Sequence, residues 1–273
     1  MGGRDVGQLV TLDDFNYHNH QDFTGSDGQR RAKGLVGTKR GYRSANVESF
    51  PLPLIDESEI EDRIRQQEKD QNSLQHLRDC MGPGGTRIKS TDQGNRGYCW
   101  FHSGTSAMLL ARAAANQVHV DLAPYMGACI IKNYRDQGGN GDEGLDFIAE
   151  VGICTSAFWP QRSVSRSNDT PEMRADAKLH RAQKWYALDT NDRQTLKRQM
   201  ATCYLLNMPT VNDYNRWTHS VGGARLVSWK PFKHRIWNSW SDEWSDDGMG
   251  DLDGDGWLPD DCWALVSETA SEH

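Results

Sequence analysis

The sequence has no apolar run long enough to cross a bilayer, and its first twenty residues, MGGRDVGQLVTLDDFNYHNH, lack the apolar stretch of a secretory signal. Neither membrane residence nor export is expected, and the chain reads as one that works, or is assembled, where it is made. It also has no CxxC pair and no Cys/His spacing of the kind that holds zinc. Its six cysteines (Cys80, Cys99, Cys129, Cys154, Cys203 and Cys262) are scattered, so reduced thiols, no metal and no cofactor are expected. A basic excess is missing too: 31 Lys and Arg stand against 38 Asp and Glu, a net charge of -7, which argues against nucleic acid as a partner of the whole chain. The charge is unevenly spread. Residues 28–47 carry six bases and no acid, whereas residues 241–261 carry nine acids and no base, so these segments should attract one another or separate partners of opposite charge. DLDGDG, from Asp251 to Gly256, opens like a calcium loop, but Cys262 stands where the twelfth position needs a bidentate glutamate, and a solvated acidic turn is the better reading.

What is present fits one large domain with an appendage, since 273 residues can bury a core without staples. Residues 1–55 read as an extended basic arm, ending in the Pro-bounded segment FPLPLI, that docks on something. Residues 56–85 read as a helix and linker, with Ser58 as N-cap, Glu61 three residues on, and a break near Asn72. Residues 86–273 form the main domain. Its central helix is predicted from Trp100 to about Gln117, where small residues allow packing on all sides, and two more helices follow Pro124 and Asp142. From Lys184 onward short aromatic and β-branched runs (KWYAL, CYLLNMPTV, SVGGARLVSW, HRIWNSW) predict strands around one helix at 192–201. Helices first and strands afterwards make an α+β fold with a helical half, a sheet half and a cleft between them.

The joint between loop and central helix, DQGNRGYCWFHS, places Cys99 at a helix start, where the dipole favours a thiolate. By itself Cys99 could equally be a buried core thiol. Other residues supply what a thiol nucleophile needs. The side chain of Gln93, six residues earlier, can converge with the Cys99 N–H on an oxyanion. His219, in WTHSVGGARLV, opens an apolar strand and can take the thiol proton, and Asn238, in IWNSWSDEW, can orient that imidazole under the cover of Trp237 and Trp240.

In that order, DQGNRGYCWFHS, DQGGNGDEGLDFIAEVGI, WTHSVGGARLV and IWNSWSDEWSDDG resemble the signature blocks of the papain-like cysteine peptidases, over roughly Arg87 to Val266. The resemblance implies a papain-like two-part fold and a thiol peptidase acting on a peptide or protein substrate. It implies Cys99 as nucleophile, His219 as base and acid, Asn238 as orienter and Gln93 as oxyanion donor, with Gly138, Gly139 and Trp240 on the substrate cleft. It also implies a resting Cys99–His219 ion pair. The chain departs from the family's secreted members at Arg96 and Asp136, which stand where they have cysteines and can pair as ions instead, and at Ser241, which replaces a glycine. The region before Gln93 lacks the long helical pro-segment of the family's secreted members, so zymogen control is not evident in the sequence. SEIEDRIRQQEKDQNSLQHLRD and NDYNRWTHSV look like papain-like proteins encoded by bacteriophages. That likeness implies a bacterial host cytoplasm, a virion reached through residues 1–55, and a competing reading in which the module is a structural protein of the particle. Hydrolysis of a non-protein amide is a third.

Overall fold

The computed structural model describes residues 9–13, 22–36, 47–182 and 184–265. Seven α-helices and eight strands occur among them: α1 Glu57–Asp70, α2 Leu74–Cys80, α3 Cys99–Ala114, α4 Pro124–Ile131, α5 Gly141–Glu150, α6 Pro171–Ala177 and α7 Arg193–Leu205, with β1 Val10–Leu12, β2 Val47–Ser49, β3 Trp185–Ala187, β4 Thr210–Tyr214, β5 His219–Ser228, β6 Lys233–Trp237, β7 Met249–Asp253 and β8 Asp261–Leu265. The strands form one sheet in the order β1-β7-β6-β5-β4-β8-β3-β2, antiparallel except for its two edges. Both edge strands come from the first 55 residues and pair in parallel, so the arm covers edges that would otherwise offer unpaired N–H and C=O groups.

The expected division into a helical half and a sheet half is what the chain adopts. Helix α3 is almost wholly buried and runs against β5 through small residues: a Cβ on Gly222 would stand 3.2 Å from Ser106 Cβ. Behind it, a Cβ on Gly127 would fall 1.9 Å from Phe101, so α4 approaches α3 only because that position is bare. The largest apolar cluster lies between α3, α4, α5 and the sheet. A second, with Ile60, Ile64, Met200, Tyr204 and Phe232, lies under α1 and α7 on the opposite face. A third is aromatic, built from Tyr214, Trp217, Trp240, Trp244 and Trp257 at the cleft end of the sheet. Each large side chain removed from water there contributes roughly 1.5–3 kcal/mol before ordering costs are set against it.

Local expectations are corrected in three places. Asp56, not Ser58, caps α1, accepting from the Ser58 N–H at 2.8 Å; the break falls where expected, with Gln71 left-handed and Ser73 capping α2. Cys203 and Tyr204, read as strand, continue α7, because both are fully buried and lie in the apolar cluster beneath it. The described bases of the 28–47 segment, Arg30, Arg31 and Lys33, form their ion pairs with Asp22, Asp27 and Asp92, outside the acidic segment. Much of 28–47 lies outside the described residues, and Asp251, Asp253 and Asp255 pair instead with Arg235, Lys233 and Lys197 at 2.7, 2.7 and 2.9 Å. Those pairs leave the calcium-like run as part of β7 and its turn.

Candidate active site

The loop before α3 is held from three sides. The Gln93 N–H donates to Ser239 O at 3.0 Å, its carbonyl accepts from Tyr125 Oη at 2.6 Å, and its Oε1 accepts from Ser239 Oγ at 2.5 Å. These bonds leave the amide nitrogen to point one way. Cys99 follows as the first residue of α3 and is fully buried. In place of a disulfide, Arg96 Nη1 lies 3.5 Å from Asp136 Oδ2, and Asp136 Oδ1 accepts from the Gly97 N–H at 2.9 Å. The pair is partly exposed, so its own contribution is at most about 1 kcal/mol. All six cysteines are free thiols.

His219 opens β5 and is fully buried between Trp217 and Trp240, whose ring centroids are 4.8 and 4.7 Å away. Its Nε2 lies 2.8 Å from Asn238 Oδ1, which also accepts from the Ser239 N–H at 2.8 Å. Because Oδ1 can only accept, Nε2 must carry the proton, and in the neutral ring Nδ1 is then the bare acceptor. Nδ1 has no hydrogen-bond partner. Ser241 takes the left-handed conformation a glycine would, with φ 67°, and its N–H donates to Thr91 O at 3.1 Å, so the tight turn is kept with a serine in it. His102, one turn beyond Cys99, bonds Thr91 Oγ1 at 2.8 Å and is fully buried.

The arm enters the same cleft, which sequence reasoning missed. Residues 23–31 fold back as a hairpin-like loop, and Arg31, 3 % exposed, forks onto Asp92 through Nε and Nη2 at 2.8 and 2.9 Å while Nη1 reaches Asp27 at 2.8 Å. Phe23 stacks on Trp240 with centroids 6.3 Å apart. Residues 32–36 then cross in front of Cys99. Gln93 Nε2 donates to Ala32 O at 2.8 Å, the Gly139 N–H to Gly34 O at 2.9 Å, the Val36 N–H to Gly139 O at 3.2 Å, and the Leu35 N–H to Thr218 O at 3.3 Å. Gly138 must be bare here, since its Cβ would stand 2.2 Å from Gly34 O. The sequence-chosen residues Gln93, Gly138 and Gly139 thus converge on one extended segment of main chain, and that segment belongs to the chain itself.

Closure sets the electrostatics. Burial pushes the Cys99 thiol up to about 12, although the backbone N–H groups of Ser220 and Gly34 favour its thiolate. Burial also pushes His219 down to about 3, with the Asn238 bond opposing it and the arm's Lys33 adding to it. Both shifts favour the neutral thiol and the neutral imidazole, so burial, with the Lys33 charge beside the ring, works against the expected resting ion pair in this state.

No protein-family model and no curated protein matches the sequence. Solved structures do. Xylellain, a cysteine protease from Xylella fastidiosa, is similar at 16% identity over 88% of this chain and 99% of its own, with a TM-score of 0.60. Digestive procathepsin L 3 of the Tenebrio molitor larval midgut is similar at 13% identity over 77% and 88%, with a TM-score of 0.53. The chain has the papain-like cysteine protease fold. Within the papain-like fold the helical half supplies Gln93 and Cys99 and the sheet half His219 and Asn238, on either side of the cleft that the arm fills. Thr218, whose carbonyl binds the occupant, and Asp92, which anchors it, carried no signal in the sequence, because each acts through a main-chain atom or a remote partner.

Proposed function

We propose that the chain is a cysteine peptidase that hydrolyses peptide bonds of a protein or peptide through an acyl-enzyme on Cys99. The observation that carries this reading is the His219–Asn238 bond, which holds the ring in the tautomer whose bare Nδ1 can accept the thiol proton. The Cys99 Sγ–H proton passes to Nδ1, sulfur attacks the substrate carbonyl, and the carbonyl oxygen takes negative charge between Gln93 Nε2–H and the Cys99 N–H. The C–N bond then breaks as Nδ1–H protonates the leaving amine. Water attacks the thioester, giving its proton to Nδ1, and sulfur leaves as the thiolate, which recovers that proton. The main-chain bonds now made by Ala32, Gly34, Leu35 and Val36 support extended binding of substrate at Gly139 and Thr218. Trp240 stacks on His219 beside the Asn238 bond and on Phe23 of the arm, which supports a place for it at the cleft that the arm now covers.

With the arm seated, Cys99 is fully buried, so the described state is a closed one, in which restraint comes from an extended arm and not from a helical pro-segment. The reading is tested by the rate of Cys99 alkylation with iodoacetamide from pH 4 to 9 in the full-length chain carrying Gly34→Leu, which displaces the arm. A fast rate persisting below the ordinary thiol range near about 8.5, and lost in His219→Ala, is expected. An ordinary thiol profile in both proteins would remove the nucleophile. On the two phage-like sequence blocks alone, we add that the peptidase is phage-encoded, made in a bacterial cytoplasm and carried on a virion. The described parts of residues 1–55 are bound to their own domain, so a particle contact through this region would compete with closure. Among the described residues no helix is long and apolar enough to cross a membrane.

A further inference from the structure

One turn beyond Cys99 on α3 stands a polar ring that the proposed chemistry does not use. His102 is fully buried; its Nδ1 lies 2.8 Å from Thr91 Oγ1, while its Nε2 has no hydrogen-bond partner among the described residues. Burial pushes it down to about 3, with Arg162 and His219 adding to the effect, so the ring is neutral wherever a thiol nucleophile works. A phenylalanine would fill much the same volume without leaving a nitrogen unpaired in the core. A polar group kept at that cost beside a reactive cysteine is the kind of local conflict that marks a functional position.

Thr91 begins a run of three residues that pairs antiparallel with the turn after Asn238. The Ser241 N–H donates to Thr91 O at 3.1 Å, Asp92 is bridged to Trp240, and the Gln93 N–H donates to Ser239 O at 3.0 Å. The helical half supplies one side of this pairing and the sheet half the other, so it sets where Gln93 lies relative to Asn238 and His219. His102 ties the pairing to α3, the helix whose first residue is Cys99. The ring also stands edge-on to Tyr125, with centroids 5.7 Å apart and planes at 84°, and Tyr125 Oη donates to Gln93 O at 2.6 Å. Two contacts of one side chain thus reach the residue that carries the oxyanion amide.

Resting on the peptidase reading, we propose that His102 is a positioning residue, whose bond to Thr91 fixes the pairing of 91–93 with 239–241 to α3 and so holds the Gln93 amide where an oxyanion on the Cys99 adduct develops. The bond transfers no proton and carries no charge. Donors aimed at an oxyanion lose their effect with small displacements, whereas attack of the thiolate on an alkyl halide builds no oxyanion. His102 therefore matters for acyl transfer and not for alkylation.

The test uses the full-length chain carrying Gly34→Leu, with Thr91→Val, which removes the hydroxyl at nearly constant shape, or His102→Phe, which removes the ring nitrogens. On a fluorogenic peptide amide each should lower kcat by about tenfold, short of the about 10²–10³ expected for loss of the Gln93 donor, with KM changed by less than about threefold. The two together should cost no more than either alone, and in Gln93→Ala neither should lower kcat further by more than about twofold. His102→Asn, whose amide reaches the place of Nδ1, should recover most of the loss. The shape of the pH profile and the rate of Cys99 alkylation by iodoacetamide should stay those of the parent. An unchanged kcat overturns the proposal, as does an equal fall in kcat and alkylation or an effect that persists in Gln93→Ala. A second measurement needs no turnover: with Cys99→Ala in place of the thiol, hydrogen exchange at the Gln93 and Ser241 main-chain N–H, read by NMR against Val221 on β5, should rise about tenfold with Thr91→Val. Faster exchange in a chain whose parent cleaves no peptide upholds the place of His102 in the pairing and removes the peptidase reading; cleavage with unchanged exchange and kcat does the reverse.

Discussion

Gly34 cannot carry a side chain where it lies. A Cβ there would stand 2.0 Å from the Gly97 carbonyl oxygen and 2.3 Å from its carbon, main-chain atoms with no rotamer to change. The arm itself is held by a narrow margin. Five hydrogen bonds through residues 32–36 contribute about 1 kcal/mol each, and the Arg31–Asp92 fork about 2–3 kcal/mol. Burial of Leu35 contributes about 2 kcal/mol. Ordering six residues costs about 1–2 kcal/mol each, so the two sides meet within a few kcal/mol. Overpacking against backbone costs about 3 kcal/mol, enough to raise the open-to-closed ratio about a hundredfold. Gly34→Leu should therefore raise the rate of Cys99 alkylation by up to about that factor, levelling off once the cleft is mostly open. Peptide mass spectrometry after timed iodoacetamide exposure reads it, with Cys129, Cys154, Cys203 and Cys262 as buried internal controls. An unchanged rate at Cys99 would refute a blocking arm, and a rise shared by the buried controls would mean unfolding rather than opening.

Three further outcomes are expected. In the opened chain, Gln93→Ala should lower kcat by about 10²–10³ with little change in KM, measured on a fluorogenic peptide, because its amide acts on charge present only in the transition state. Asp213→Asn should stabilise the chain more at pH 8 than at pH 4. Burial, with Asp261 and Asp142 nearby, raises its folded-state pKa to about 7 from the ordinary 3.8, so stability present below about 4 is lost as pH rises through 7, and the neutral Asn escapes that loss. The gain is on the order of 3 kcal/mol; it is read as a difference in Tm from the parent, in which the opposite trend from the buried His102, His219 and His234 cancels. Ser241→Gly should add about 0.5–1 kcal/mol in urea unfolding by relieving a left-handed serine, less whatever is lost with the 3.2 Å bond from the Glu243 N–H to Ser241 Oγ.

The parts of the site legible in the sequence are those whose chemistry depends on residue type at a fixed place. A thiol at a helix start, an imidazole at a strand start and an amide at the end of the next strand are such cases, and Cys99, His219 and Asn238 lie on those elements. Small residues likewise announced α3 as a central helix packed on all sides. The arm was illegible for the opposite reason. Residues 32–36 act through main-chain N–H and C=O groups that every residue has, and only the bare Gly34 is required by type. Asp213 was hidden inside TVNDY, where alternation does not mark which face is buried; all five residues are. The strand expected at Cys203 and Tyr204 failed because tertiary burial under α7 overrode local β preference.

The neutral thiol and imidazole of the closed cleft and the ion pair expected from the papain-like resemblance describe two states of one arrangement. Burial is the largest cause acting on each group; of the arm's own groups, the Gly34 N–H favours the thiolate and the Lys33 charge disfavours the imidazolium. Lifting residues 32–36 readmits water, which favours both charged forms, and removes the Lys33 charge that disfavours imidazolium. The Ser220 N–H and the start of α3 remain to favour the thiolate. Opening the cleft thus moves the imidazole upward, while at the thiol readmitted water acts against the loss of the Gly34 N–H. On the peptidase reading, the motion that admits substrate also restores water to Cys99 and His219, and the seated arm should slow alkylation of Cys99 as well as turnover.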